Sequence, residues 1–182
     1  MTMVTVNLPT QVFTDRLTLK KLRYEEAEEI FYSYASKDEA TRFMSWHTHQ
    51  SLRDTMSFLR YADEGWKAGT DYSYSIRLVN SARLIGSFGL INESGNFQFG
   101  YIFSPTQWGH GYATEACKAM MNVLKNLHGV YRIQTFTDVD NKASANVLLK
   151  SGLIEEARLS NWFRFVNQNN RVKDCFHFRF PL

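Results

Sequence analysis

Hydrophobic and polar positions alternate with period two over Arg16 to Leu22, where RLTLKKL sets Leu17, Leu19 and Leu22 on or near one face and predicts a strand. A stretch rich in Glu and Ala then predicts a helix from about Tyr24 to Ser36. A second helix is expected from Ser51 to Ala68, with Ser51 and Asp54 offering capping-box chemistry at its start, and Trp46, His47 and His49 fall in the loop between the two. From Asp71 the pattern changes to strands at Tyr72 to Val79, Arg83 to Ile91 and Phe97 to Phe103. The turn signals Asn80-Ser81 and Glu93-Ser94-Gly95-Asn96 separate them, so an antiparallel meander is expected. Ala113, Ala116, Met120, Leu124 and Leu127 recur at three and four residues and predict a helix from Tyr112 to about His128. A strand from Tyr131 to Asp138 follows, then a helix from Lys142 to Ser151 ended by Gly152. Two closing strands, near Leu153 to Phe163 and Val172 to Phe180, flank the polar turn Asn167 to Asn170. Meander plus strand–helix–strand passage implies an α/β fold with a mixed, mostly antiparallel sheet of about seven strands flanked by helices.

The chain has 182 residues and no repeat or Pro/Gly/Ser-rich linker, so residues 1–182 are expected to form one domain. With 44% hydrophobic, 15% aromatic and 21% charged residues, its composition is that of a soluble globular protein and argues against disorder. No apolar run approaches the ~20 residues of a membrane span, and Met1 to Thr10 lacks the layout of a signal peptide, so a cytoplasmic location is expected. Cys117 and Cys175 stand far apart with no CxxC or Cys/His spacing, which points to buried thiols and not to a metal site or a disulfide. A net charge of +3 from scattered basic residues does not call for nucleic acid but suits an anionic cofactor.

Candidate chemistry concentrates in Tyr101 to Ala116, a strand, a short turn and then glycines at the mouth of a helix. Gly109 and Gly111 let the main chain approach a ligand closely, and consecutive amides at a helix start make a seat for phosphate oxygens. A nucleotide P-loop needs Gly-Lys-Ser/Thr, and a dinucleotide fingerprint needs a third glycine where Thr114 stands, so both are disfavoured.

The wider pattern resembles the GNAT acetyltransferases from Thr14 to about Phe180. Thr14 to Leu22 looks like the first strand of the RimJ/RimL type, the enzymes that acetylate ribosomal-protein N-termini. Gly100-Tyr101 followed by Trp108-Gly109-His110-Gly111-Tyr112-Ala113-Thr114-Glu115-Ala116 is close to that group's signature for the acetyl-CoA pyrophosphate. Asn141, Ser144, and Asn146 to Gly152-Leu153 are similar to the helix that follows. The resemblance implies the GNAT fold and acetyl-CoA as co-substrate, with no metal. It gives the amides of Gly109, His110, Gly111, Tyr112, Ala113 and Thr114 to the pyrophosphate, with Trp108 where many relatives have Arg or Gln. The strand Phe99 to Phe103, including Ile102 and Phe103, would pair with the pantetheine arm, and Asn141 and Ser144 would meet it from the other side.

Acetyl transfer needs a neutral amine, a polarised carbonyl and a proton for the departing thiolate. A strand amide near Ile102 is the expected oxyanion donor. The tyrosine many relatives use as acid is replaced by Leu148, which leaves Ser144 as the best candidate and Tyr101 as a weaker one. Gln98 stands where a basic carboxylate is frequent, so Glu93 becomes the candidate base. The loop with His47 and His49, floored by Trp46, lines the acceptor cleft in relatives, so Trp46 and His47, with Gln98, are expected on the acceptor side and the two histidines are further candidates for the base. An α-amine of pKa about 7.8 is roughly a seventh neutral at pH 7, against about 0.04% for a lysine amine, so the missing carboxylate favours a protein or peptide N-terminus or another amine of low pKa. Direct transfer in a ternary complex follows from the absence of a Cys-His pair. The alternatives are a small-molecule amine acetyltransferase acting on an antibiotic, polyamine or amino acid, and a non-catalytic acyl-CoA-binding module. Neither a membrane nor a nucleic-acid partner is expected, and the chain is expected to be a monomer or homodimer.

Overall fold

The period-two segments become one eight-stranded sheet in a computed structural model that describes residues 6–182; the first five residues of the Met1 to Thr10 stretch lie outside the described residues. The strands are β1 (Gln11–Phe13), β2 (Leu17–Lys21), β3 (Asp71–Leu78), β4 (Leu84–Glu93), β5 (Asn96–Phe103), β6 (Arg132–Asp138), β7 (Ile154–Phe165) and β8 (Arg171–Arg179). Their spatial order is β1-β2-β3-β4-β5-β6-β8-β7, and every neighbouring pair is antiparallel except β5 with β6. The strand beyond the expected seven is β1. Only Val12 is buried in its three residues, too short a pattern to read as a strand, and pairing with β2 creates it.

Helix α3 (Leu52–Ala68) begins as expected, with Ser51 and Asp54 in a reciprocal capping box, and ends on Gly69 at φ 74°. Helices α4 (Tyr112–Lys125) and α5 (Lys142–Lys150) also follow the periodicity. The helix expected from Tyr24 to Ser36 does not form as one piece. It divides into a 3₁₀ turn at Tyr24–Glu26, one α turn, α1 (Ala27–Ile30), and a π-helical stretch at Phe31–Ala35, followed by the short α2 (Asp38–Thr41). The widened turn carries Tyr34, whose buried hydroxyl is hydrogen-bonded to Ser87 on β4, so tertiary contact overrides local periodicity.

Two apolar cores follow. The larger holds Leu17, Leu19, Tyr74, Phe88, Phe97, Met120 and Leu148, burying the inner faces of α4 and α5. The smaller holds Leu22, Ile30, Tyr34, Leu59, Leu84 and Ile102. Leu22, expected with Leu17 and Leu19, belongs to the smaller core because β2 ends at Lys21. No helix among the described residues is long and apolar enough to cross a membrane.

Candidate active site

β5 and β6 pair only through Asn96, Phe97 and Gln98 with Arg132, Ile133 and Gln134, and then part. Thr135 bridges the opening by donating its hydroxyl to the Phe99 carbonyl at 2.7 Å. The other side of β5 stays in unbroken register with β4, from Gly86↔Phe103 to Glu93↔Asn96. The Ser104 amide donates to the Ile85 carbonyl at 2.8 Å, which fixes the alternation: the main-chain groups of Gly100 and Ile102 turn to β4, and those of Phe99, Tyr101 and Phe103 turn to the opening. The amide expected near Ile102 is therefore that of Tyr101 or Phe103, because the Ile102 N–H is committed to the ladder. Trp108 donates its indole N–H to the Phe103 carbonyl at 3.1 Å and so fixes the strand end at the mouth of the opening.

Beyond Trp108 the chain turns through Gly109 at φ 80° and Gly111 at φ 79°, left-handed conformations that side chains resist. Gly111 is the N-cap of α4 and supplies no capping side chain. Among the described residues no acceptor takes the amides from Gly109 to Thr114, and nothing lies within 4 Å of where a Gly109 Cβ would stand. Six free donors at the positive end of a helix dipole fit a pyrophosphate. Arg16 packs behind this loop. It donates to the His110 carbonyl at 3.0 Å and to the Glu115 carboxylate at 2.7 Å, and stacks over the Tyr112 ring at 4.7 Å. Burial works to raise the Glu115 carboxyl, but the Thr14 and Arg16 hydrogen bonds outweigh it and hold the group below the usual carboxylate range.

The structure brings Tyr101 and Ser144 together. Their hydroxyls lie 2.9 Å apart, across from β5 to the first turn of α5. Asn141 is the N-cap of that helix and accepts the Ser144 amide at 3.1 Å, which leaves its amide nitrogen free to meet a ligand. Burial, then the neighbouring Cys117, pushes the Tyr101 hydroxyl far up, so it stays protonated throughout the physiological range. Cys117 is itself buried and its thiol pushed far up by burial; Cys175 is pushed up to about 12 for the same reason. Glu93 is not brought to this pair. It sits exposed at the β4–β5 turn, on the closed side of the stretch where β5 and β6 pair.

On the opposite face of β5 lie Gln98, Gly100 and Ile102. Gly100, Gly89 and Ser73 form one row across three strands. Nothing occupies the space within 4 Å of a Gly100 Cβ, and Gly89 would meet only the Ser73 hydroxyl at 3.9 Å, so the row is a shallow groove. The carboxyl in the next row, Asp71, accepts from Ser73 at 2.9 Å and is raised by burial. Trp46 packs against the smaller core, while His47 is exposed. Beside Trp46 lies His49, the second of the two loop histidines expected on the acceptor side. Its ring lies 5.0 Å from Trp46 and its Nδ1 is 2.8 Å from the Thr55 hydroxyl; burial lowers its pKa from the ordinary 6.5 against the opposing pull of Asp54. Asn167 was not foreseen as a site residue. From the β7–β8 turn it accepts the Thr48 amide at 3.1 Å and donates to the Thr41 and Trp46 carbonyls at 2.7 and 2.8 Å. No short-range signal marks it, because its partners lie more than a hundred residues away. Among the described residues no three His, Cys, Asp or Glu side chains converge as metal ligands.

Residues 16–154 match a family model described as an acetyltransferase (GNAT) domain. The uncharacterized N-acetyltransferase YoaA of Bacillus subtilis is 28% identical over 152 residues, covering 82% of this chain and 85% of its own. Among solved structures, the ribosomal α-N-protein acetyltransferase RimL in complex with coenzyme A superposes with a TM-score of 0.83 at 15% identity, covering 93% of this chain and 96% of that one. Spermidine N-acetyltransferase of Vibrio cholerae, in complex with CoA and spermine, gives 0.77 at 18% identity, covering 92% and 96%. At these identities the structural likenesses establish the fold.

Proposed function

The chain belongs to the GNAT acetyltransferase family, and from that premise we propose that it transfers acetyl directly to the α-amine at the N-terminus of a protein or peptide. Acetyl-CoA supplies a thioester already activated for attack. The amides of Gly109 to Thr114 hold its pyrophosphate. The main chain of Phe99 to Phe103 and the Asn141 side chain flank the pantetheine arm. The Tyr101 or Phe103 amide polarises the carbonyl, in a setting where a fixed donor stabilises developing charge more than water does. The Ser144 hydroxyl proton goes to the departing sulfur as the Tyr101 proton moves onto Ser144, and solvent returns a proton to Tyr101 after the thiol leaves. Two buried thiols held protonated favour direct transfer over an acyl-enzyme.

The observation that carries the acceptor assignment is the groove over Gly89 and Gly100, bordered by the uncharged side chains of Gln98, Ser73 and Ser87, with the Asp71 carboxyl of the next row engaged by the Ser73 hydroxyl. Such a face suits an amine that is partly neutral at pH 7 and offers little to a polycation. His49, kept neutral by burial beside Trp46, takes the released proton through water in this reading, the part expected of Glu93. RimL, named for α-N-protein acetylation, supports the same choice by its fold, while the spermidine enzyme shares that fold and supplies the rival.

Thiol release from acetyl-CoA, followed with N-terminally free peptides, the same peptides blocked at the N-terminus, and spermine, tests the assignment. Free peptides are expected to exceed spermine in kcat/KM by at least about tenfold. The rate should rise through the α-amine pKa of about 7.8 and level off above it. Preference for spermine, or acetylation of blocked peptides at lysine, would overturn the reading.

A further inference from the structure

The loop from Trp108 to Thr114 contains no lysine or arginine, yet a carboxylate stands one turn into the helix it opens. That carboxylate, Glu115, is favourably placed for the helix dipole and unfavourably placed for an anionic ligand at the same terminus. Arg16 meets it from the start of β2 through Nε at 2.7 Å and Nη2 at 2.6 Å, while the Arg16 amide donates to the other carboxylate oxygen at 3.0 Å and Thr14 adds its hydroxyl. Nη1 of the same guanidinium takes the His110 carbonyl at 3.0 Å. The Nη2 atom stands 3.7 Å from where a Gly111 Cβ would be, so the whole group lies against the back of the loop.

We propose that Arg16 is a positioning residue for cofactor binding: it neutralises Glu115 and turns the His110 carbonyl away, leaving the six loop amides to meet the pyrophosphate without a competing negative group. The proposal rests on the assignment of that loop to the pyrophosphate. It makes Arg16 matter through charge, beyond its part in joining β2 to α4, and the two roles come apart when Glu115 is replaced. Glu115→Gln removes the same ion pair but leaves a surplus positive charge instead of a surplus negative one.

Calorimetric titration with acetyl-CoA separates them, with thermal unfolding confirming the fold of each variant. Arg16→Ala is expected to weaken binding about tenfold, within the range of coupling for groups in one hydrogen-bonded network. Glu115→Gln should bind as tightly as wild type or more tightly, and the double variant should recover to within about threefold of wild type. Should Arg16→Ala fail to fold, Arg16→Gln keeps a donor for the His110 carbonyl, removes the charge and carries the same expectation. Unchanged affinity in the Arg16 variant, or equal losses in Arg16→Ala, Glu115→Gln and the double variant, would overturn the proposal. Gly111→Trp tests the premise separately. Binding retained in that variant overturns the loop assignment and the proposal with it; binding lost there, with Arg16→Ala at wild-type affinity, overturns the Arg16 role alone.

Discussion

A single oxygen–oxygen contact joins two residues that the sequence could name only separately. Ser144 and Tyr101 lie 43 positions apart, and their 2.9 Å contact joins a serine at a helix start and a packing aromatic in one hydrogen-bonded pair. Burial keeps the phenol protonated, so in the proposed reaction Tyr101 serves Ser144 as a donor and not as a base. Removing the serine should therefore cost more than removing the phenol. Ser144→Ala is expected to lower kcat by about 10²-fold, the lower end for a lost general acid, and Tyr101→Phe by about tenfold, both with little change in acetyl-CoA affinity. Because the Tyr101 pKa is raised, the phenol stays protonated and no loss of rate from its ionisation is expected as pH passes the ordinary tyrosine value of about 10. Stopped-flow rates against pH check this, and an alkaline fall that disappears in Tyr101→Phe would contradict it. What the sequence carried at this scale was residue type in a pattern, which found Ser144, Asn141 and the loop glycines. Glu93 and His47 were reasonable by position, but both are exposed, and burial is what separates His49 from His47.

Elements were legible wherever local pattern and tertiary demand agree. The β3–β4–β5 meander, α3 with its capping box, and α4 behind its glycines all form close to the expected bounds. Disagreement marks the places where long-range contact decides. β1 exists because β2 offers it a partner, and the helix after Tyr24 widens where Tyr34 reaches Ser87. The β7–β8 turn is another such place. Its four residues Asn167 to Asn170 read as a polar hairpin tip, yet Asn167 spends its acceptor and both donors on the loop that carries Trp46, and Gln168 reaches Asp138 at 2.9 Å. A carboxamide satisfied on all sides ties the β7–β8 turn to the loop that carries Trp46. Asn167→Asp keeps the acceptor for the Thr48 amide but sets a carboxylate against two carbonyls. It is expected to raise KM for the acceptor peptide about tenfold while the acetyl-CoA dissociation constant stays within about twofold. Equal effects on both substrates would mean that the turn supports the sheet as a whole.

Across the whole molecule, the sheet is two blocks, β1 to β5 and β6 to β8, joined by three residue pairs where β5 meets β6. The larger core holds the blocks from one face, since α4 and α5 bury Met120 and Leu148 with Phe97 and Phe178. Along the opening itself, the main-chain groups of Tyr101 and Phe103 have no strand beyond them, and Thr135 reaches across only to Phe99. A ligand with amide groups along its length that enters here replaces missing ladder bonds and ties the blocks together. Binding to the folded chain alone stabilises it by about 2.7 kcal/mol at a hundredfold excess over the dissociation constant. For a chain of this size that corresponds to a rise in Tm of roughly 5–10 °C. The gain should appear in hydrogen exchange as slowed amides at Tyr101 and Phe103 together with Gly109 to Thr114, while those of Gly100 and Ile102, already bonded to β4, change little. Uniform slowing across all eight strands would mean that the ligand stabilises the fold without occupying the opening, and the division of β5 into committed and free amides would then have no bearing on how acetyl-CoA binds.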